Sequence, residues 1–186
     1  QYTSSNVSQL LGPDTYTLNR GELDVVNRLV NRTNEEVTVT KEENLQENPI
    51  RLSTTLDVNG TQVGYLMYQS FNRNFNNELN DAFGEFVANG VTELVLDMRY
   101  NGGGSVNTSR LLASMIYGPN TNDLYIRQRW NSKLQNQFTD EQLNDFFANQ
   151  ISEGVSFNSL NLNRVYVIGT GRTASASELV MIGLDP

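Results

Sequence analysis

Ser175 stands between Ala174 and Ala176, where the apolar run Val165–Ile168 passes through Gly169-Thr170-Gly171 into a second apolar stretch, Leu179 to Leu184. Neighbours that small let a substrate carbonyl approach the hydroxyl closely. If the boundary is a strand-to-helix turn, the first free amides of the helix and its dipole stabilise negative charge developing beside it. The serine also has Glu178 three positions on, the spacing of a capping box, so it reads as an N-cap as well. Spacing alone favours the cap.

A second group of residues is the glycine turn Asn101-Gly102-Gly103-Gly104. Backbone amides in such a turn can hold a phosphate or the oxyanion of a tetrahedral intermediate. The bland reading is a tight strand-to-helix turn that needs residues without a Cβ. Phosphate binding has little support, because Asn107 stands where G-x-G-x-x-G needs its third glycine and no Gly-Lys-Ser/Thr follows. Asp97 and Arg99 flank Met98 at the end of the preceding strand, where α/β proteins often put functional side chains, although a local ion pair or turn cap is the simpler role.

What is absent narrows the chemistry further. The 186 residues contain no histidine and no cysteine, so a Ser-His-Asp triad, a Cys-His pair and thiolate or imidazole metal sites cannot be built from them. Lys, Asp, Glu and Tyr are left as bases, and the lysines are Lys41 and Lys133.

The elements that must position these residues can be read from hydrophobic periodicity. Val63-Gly64-Tyr65-Leu66-Met67-Tyr68 has the texture of a strand covered on both faces. Between Asn76 and Asn89, Leu79, Phe83, Phe86 and Val87 fall at helical spacing, with Gly90 as a C-terminal cap. Leu94–Met98 reads as a buried strand leading into the glycine turn, and Leu111, Leu112, Met115 and Ile116 mark the inner side of a second helix. Residues 118 to 160 look like an insertion serving as lid or side wall. It should hold a strand from Leu124 to Trp130 and a short helix opening at Thr139, with capping-box spacing to Gln142 and with Leu143, Phe146 and Phe147 facing inward. Strand, helix, strand, glycine turn, helix is the order of an α/β unit.

Residues 1 to 48 are polar, with a short alternating strand at Val37-Thr38-Val39-Thr40 and a charged linker leading to Asn48-Pro49, and are expected to be a connector. Residues 49 to 186 should form the main domain. A net charge of −8, with 13 basic residues in no run, repels a phosphate backbone, so nucleic acid is not an expected partner. No apolar run is long enough to cross a bilayer as a helix. The N-x-Ser/Thr triplets at Asn6, Asn31, Asn59 and Asn107 are what chance supplies in an Asn-rich chain.

Taken in order, Leu94-Val-Leu-Asp-Met-Arg-Tyr-Asn-Gly-Gly-Gly104 and Val165-Tyr-Val-Ile-Gly-Thr-Gly-Arg-Thr-Ala-Ser-Ala-Ser-Glu178 resemble the C-terminal processing (tail-specific) serine peptidase family, in particular its Bacteroidetes-type branch. The resemblance runs from about Val63 to Pro186. It implies a crotonase-like or ClpP-like α/β core, incomplete at its C-terminus, and cleavage of polypeptide substrates with no metal or organic cofactor. It makes Ser175 the nucleophile and puts the oxyanion amides at Ala176 and at Gly103 or Gly104. The family's base is a lysine about two dozen residues after the nucleophile, beyond this chain, so the chain as it stands is expected to be inactive. Lys41 and Lys133 do not take that role. The resemblance further implies a setting in the bacterial cell envelope, periplasmic or surface-exposed, and Tyr2 to Leu18 resembles the tail of a PDZ domain. The alternatives are a non-catalytic ligand- or peptide-binding module on the same scaffold and, with less support, a nucleotide-binding α/β domain.

Overall fold

The computed structural model describes residue Gln9 and residues 11–185, so most of the Tyr2 to Leu18 segment lies outside the described residues. The chain divides into two compact units, Gln1–Glu47 and Asn48–Pro186. In the first, β1 (Thr15–Asp24) pairs antiparallel with β2 (Leu29–Thr40), with an irregularity between Asn19 and Gly21. Asp24 closes the turn by accepting hydrogen bonds from the Val26 and Asn27 amides. The expected alternating strand at Val37–Thr40 is thus the end of a twelve-residue strand in a long hairpin, and it is mostly exposed rather than half-buried. Threonines facing each other across the pair, Thr17 with Thr38 and Thr15 with Thr40, bond through their hydroxyls.

The second unit is built on a four-stranded sheet of order β10-β5-β4-β3. Its strands are β3 (Ile50–Val58), β4 (Thr61–Tyr68), β5 (Glu93–Asp97) and β10 (Val165–Ile168). β3 and β4 form an antiparallel hairpin around Asn59-Gly60, both at positive φ, which suits the right-handed twist of the strands it joins. β4, β5 and β10 run parallel. Helix α1 (Asn76–Ala88) connects β4 to β5, and helix α2 (Val106–Tyr117) begins the connection from β5 to β10. Crossovers that step across a sheet in one direction with the same right-handedness put their helices on one face. That face carries Leu66, Leu94 and Leu96, which pack with Leu79, Phe83 and Phe86 of α1 and with Leu111, Leu112, Met115 and Ile116 of α2.

The opposite face corrects the expectation of a doubly covered sheet. β4 alternates between buried Gly64, Leu66, Tyr68 and half-buried Val63, Tyr65, Met67, and Leu52, Leu56, Tyr166 and Ile168 are exposed. Among the described residues no helix of this unit covers those side chains, so period-two alternation takes the place of two-sided burial. Val87 likewise is 48% exposed, because α1 turns Leu79, Ala82, Phe83 and Phe86 inward and leaves it on the flank.

The segment after α2 holds β6 (Leu124–Arg127), the four-residue helices α3 (Ser132–Gln135) and α4 (Asp140–Leu143), and β7 (Asn144–Phe146), which pairs with β6; a small hairpin, β8 (Gln150–Ser152) and β9 (Val155–Ser156), follows. Thr139 and Gln142 close the expected capping box at α4. The helix ends after a single turn, however, and the chain turns extended. Successive side chains then point to opposite faces, so Phe147 is buried and Phe146 is 40% exposed, contrary to the inward-facing pair expected. The strand expected to reach Trp130 stops at Arg127. The last helix, α5 (Ala176–Gly183), adds Ala176 and Val180 to the core.

Candidate active site

Two loops leave the same edge of the parallel sheet side by side: the glycine turn after β5 and the Gly169–Ser175 loop after β10. Hydroxyls of the second loop bind carbonyls of the first. Thr173 Oγ1 donates to the Met98 carbonyl at 2.8 Å and Thr170 Oγ1 to the Arg99 carbonyl at 2.9 Å. At the centre is Asn101, fully buried, whose side-chain amide donates to the Tyr68 carbonyl at 3.0 Å while its Oδ1 accepts the Gly103 N–H at 2.9 Å. The Asn101 carbonyl accepts from the Ala174 N–H at 3.3 Å and from the buried Ser177 hydroxyl at 3.2 Å. One residue therefore joins the end of β4, the glycine turn and both flanks of Ser175. A third segment supports the turn from behind, as Phe71 N–H donates to the Gly103 carbonyl and Ser105 N–H to the Phe71 carbonyl.

These ties set Ser175 in an unusual conformation. It is exposed, immediately precedes α5 and has φ 58° and ψ −119°. A residue with a Cβ rarely occupies positive φ, and holding it there costs on the order of 1–3 kcal/mol. Two ordinary N-caps of this chain, Ser105 and Thr139, have extended backbones at φ −68° and −78°. Ser175 does not share that geometry, although its N–H donates to Glu178 Oε2 at 2.6 Å, so that the glutamate does complete its half of a capping box. A sharp strand-to-helix turn with a strained serine is how hydrolases on α/β sheets expose a nucleophile at the sheet edge.

Gly103 lies directly against this serine. A Cβ built on it would stand 2.7 Å from Ser175 Cβ, 2.9 Å from the Ala174 carbonyl oxygen and 3.1 Å from the Ala176 nitrogen, and its φ is 105°. Gly104, at φ 139°, meets the Phe71 carbonyl in the same way at 2.5 Å. Sequence reasoning named Ser175, Ala176, Gly103 and Gly104, and the fold brings them together. It also distinguishes the glycines. The Gly103 amide is engaged by Asn101, whereas the amides of Gly104 and Ala176 make no hydrogen bond among the described residues. Ser105 caps α2 by accepting from the Thr108 N–H, so the start of that helix is not an open phosphate cradle.

Asp97 and Arg99 form the local ion pair considered from sequence. Arg99 reaches the buried Asp97 carboxylate at 2.6 Å, and the Tyr65 hydroxyl donates to it at 2.6 Å. Hydrogen bonding from the guanidinium, with help from Tyr65 and against the opposing effect of burial, holds the Asp97 pKa down at about 2. The same contact holds Arg99 above its ordinary value, and the bond to Asp97 pushes the Tyr65 phenol up. Lys41 belongs to the hairpin unit, where its Nζ donates to the Gly12 carbonyl, and Lys133 lies on exposed α3.

Sequence reading gives Asn101 and Ser177 no role of their own, although both tie the two loops together. An asparagine two residues before a glycine is the signature of an Asx turn, which would have flagged the first.

Solved structures and a family profile show what the chain is similar to. A crystal structure from Bacteroides fragilis NCTC 9343 assigned to the S41 proteases aligns with 100% of this chain at 31% identity and a TM-score of 0.79, and the chain spans 48% of that protein. A photosystem II D1 C-terminal processing protease aligns with 81% of the chain at 25% identity, with a TM-score of 0.53 and 36% of its own length covered. Comparison with curated proteins gave no match. The profile of peptidase family S41 matches residues 62–184, which include the glycine turn, Ser175, β5, β10 and all of β4 but its first residue, and the chain therefore belongs to peptidase family S41, a family of serine peptidases.

Proposed function

We propose that this chain is the nucleophile-bearing part of a serine endopeptidase of the C-terminal processing type. The observation that carries the reading is the strained, exposed Ser175 set against Gly103, with the unengaged amides of Ala176 and Gly104 close by. In this reading the Ser175 hydroxyl attacks the scissile carbonyl of a polypeptide. The Ala176 and Gly104 amides hold the oxyanion as it forms, a contribution worth about 10²- to 10³-fold per donor. Gly103 contributes through close approach, because its own N–H is taken by Asn101. The proton of Ser175 passes to a lysine, supplied by a part of the parent protein beyond these 186 residues and kept neutral by burial, and from there to the leaving amine. The proposed setting is the bacterial cell envelope, and substrates are polypeptides.

The test is peptide turnover by the full-length protein and its Ser175→Ala variant. The proposal expects turnover that rises with pH as the lysine loses its proton, that is lost in Ser175→Ala, and that is lost again when the downstream lysine becomes alanine. Turnover retained in Ser175→Ala assigns the attack to another residue, and an intact, folded protein that binds peptides without cleaving them is a binding module instead.

A further inference from the structure

Strand β3 is the outermost strand of the four-stranded sheet, and its second edge is unpaired among the described residues. It is nine residues long and stays in one register with β4 from Leu52 to Val58, the irregularity lying before that, between Ile50 and Leu52. Backbone groups alternate sides along a strand. The Gln62 carbonyl accepts from the Thr92 N–H on the β5 side, so Val63 and Tyr65 turn their groups toward β3, where they face Leu56 and Thr54. Ser53, Thr55 and Asp57 are thereby left with N–H and C=O groups directed outward. A hollow of about 530 Å³ lies along this edge, lined by Ser53, Thr54, Thr55 and Asp57 together with Glu85 and Asn89. Sheet edges are ordinarily blunted by charge or proline, and the central Leu52-Ser53-Thr54-Thr55-Leu56 carries neither.

The strand is self-complementary about Thr54. Ser53 and Thr55 stand one position either side of it, Leu52 and Leu56 two, and the oppositely charged Arg51 and Asp57 three. Laid antiparallel against its own copy with Thr54 on the two-fold axis, the strand sets exposed Leu52 against the partner's exposed Leu56, and Ser53 against the partner's Thr55. The outward-directed groups of Ser53 and Thr55 then meet each other. Ser53 Oγ is buried with no hydrogen-bond partner among the described residues, and Thr55 Oγ1, which accepts from Asn89 Nδ2 at 3.3 Å, keeps its own proton to donate. Arg51 makes no ion pair or side-chain hydrogen bond among the described residues, and it falls opposite the partner's Asp57. Its side chain is long enough to span the strand spacing of about 4.8 Å. A parallel pairing would set arginine on arginine and aspartate on aspartate, and a slip of two residues would part the charges, so charge selects this one register.

We propose that β3 pairs antiparallel with the β3 of a second copy of this chain, joining two four-stranded sheets into one continuous sheet about a two-fold axis at Thr54. The proposal does not depend on the peptidase reading. β10 is at the far edge of each sheet, so neither Ser175 loop lies at the join. A strand pair of this length buries an area at the low end for specific complexes, which sets the dissociation constant on the order of micromolar.

Sedimentation velocity of the full-length protein over a range of concentrations gives the oligomeric state, and cysteine substitution gives the register. These 186 residues contain no cysteine, and wild type is the blank for mild oxidation. Thr54→Cys puts two thiols face to face on the axis and should form an interchain disulfide. Leu56→Cys, on the same strand, leaves each thiol roughly 13 Å from its counterpart and should not. Arg51→Glu changes an exposed, unpaired side chain, so it should fold as wild type does by circular dichroism. It should weaken the dimer about tenfold, because the axis repeats the clash with Asp57 twice. A wild-type protein that is monomeric at about 100 μM overturns the proposal, and so does a dimer indifferent to Arg51→Glu. Crosslinking through Leu56→Cys as readily as through Thr54→Cys assigns the contact to another register or surface and overturns it too. If a further part of the parent protein covers β3 instead, the protein stays monomeric and the thiol of the Thr54→Cys variant resists labelling, which also refutes the pairing.

Discussion

Gly103 leaves no room for a methyl group beside Ser175: a Cβ there would approach Ser175 Cβ to 2.7 Å and the Ala174 carbonyl to 2.9 Å, on a backbone at φ 105°. Gly103→Ala therefore combines a backbone penalty with a clash against the turn that holds Ser175. We expect it to destabilise the protein by about 2–4 kcal/mol and to abolish peptide cleavage. Gly102→Ala is the control, since nothing lies within 4 Å of its Cβ position and its φ is not in the left-handed region. It should change stability by less than about 1 kcal/mol. Chemical denaturation of the two variants decides the matter, and equal behaviour would mean that Gly103 is an ordinary turn residue.

The backbone of Ser175 gives a second outcome to check. At φ 58° a glycine is unstrained, so Ser175→Gly should be more stable than Ser175→Ala by about 1 kcal/mol while both lose cleavage. A stability gained by deleting the Ser175 side chain would mark strain held in the turn for the proposed attack. Thermal melts of the two variants and wild type measure it, and Ser175→Gly less stable than Ser175→Ala would show that the turn holds no strain.

How much of this was legible beforehand differs by element. Leu79, Phe83 and Phe86 are buried as their spacing required, because a helix face is a local property of the sequence. Strand β3 escaped notice because Arg51, Ser53, Thr54, Thr55 and Asp57 make it look polar, yet the Asn59-Gly60 turn and the apolar β4 beyond it were a hairpin signal. Asn101 reads locally as a generic turn residue, since its partners, the Tyr68 carbonyl and the Ser177 hydroxyl, are 33 and 76 positions away. The distorted backbone of Ser175 was beyond local reading for the same reason: contacts with the glycine turn impose it against the residue's own preference.

Acid should act on the fold through Asp97. Its carboxyl pKa is held at about 2 by Arg99 and Tyr65, below the ordinary 3.8, so the folded state binds its proton less readily than the unfolded chain. The resulting stability is fully present above about pH 4 and is lost as pH falls from there toward 2, a total of roughly 2 kcal/mol. Denaturation midpoints followed from pH 5 to pH 2 should fall more steeply for wild type than for Asp97→Asn. Parallel curves would remove Asp97 from the account.

Tyr68 carries a buried hydroxyl with no hydrogen-bond partner among the described residues, and burial pushes its pKa up. Its ring packs edge-on against Phe71, the residue that supports the glycine turn. Tyr68→Phe keeps the ring and removes an unsatisfied polar group, so it should raise stability by about 1 kcal/mol, a few degrees in Tm for a domain of this size. A lower Tm would reveal a partner for the hydroxyl in the intact protein.

Asn101 should matter to catalysis without touching the reacting atoms. Replacing it with alanine leaves the Tyr68 carbonyl and the Gly103 N–H without their buried partner, which costs about 1–3 kcal/mol per group and frees the glycine turn to shift against Ser175. Ser177→Ala removes only the hydroxyl that binds the Asn101 carbonyl, and its stability cost should be nearer 1 kcal/mol. If the two residues act by positioning, both variants lower kcat of the full-length enzyme more than they raise KM, because the aligned amides matter most when the oxyanion forms. Asn101→Ala should lose at least tenfold in kcat and Ser177→Ala less. Steady-state kinetics at a temperature where both remain folded provide the measurement. A rise in KM with kcat unchanged would mean that Asn101 shapes substrate binding rather than the oxyanion site.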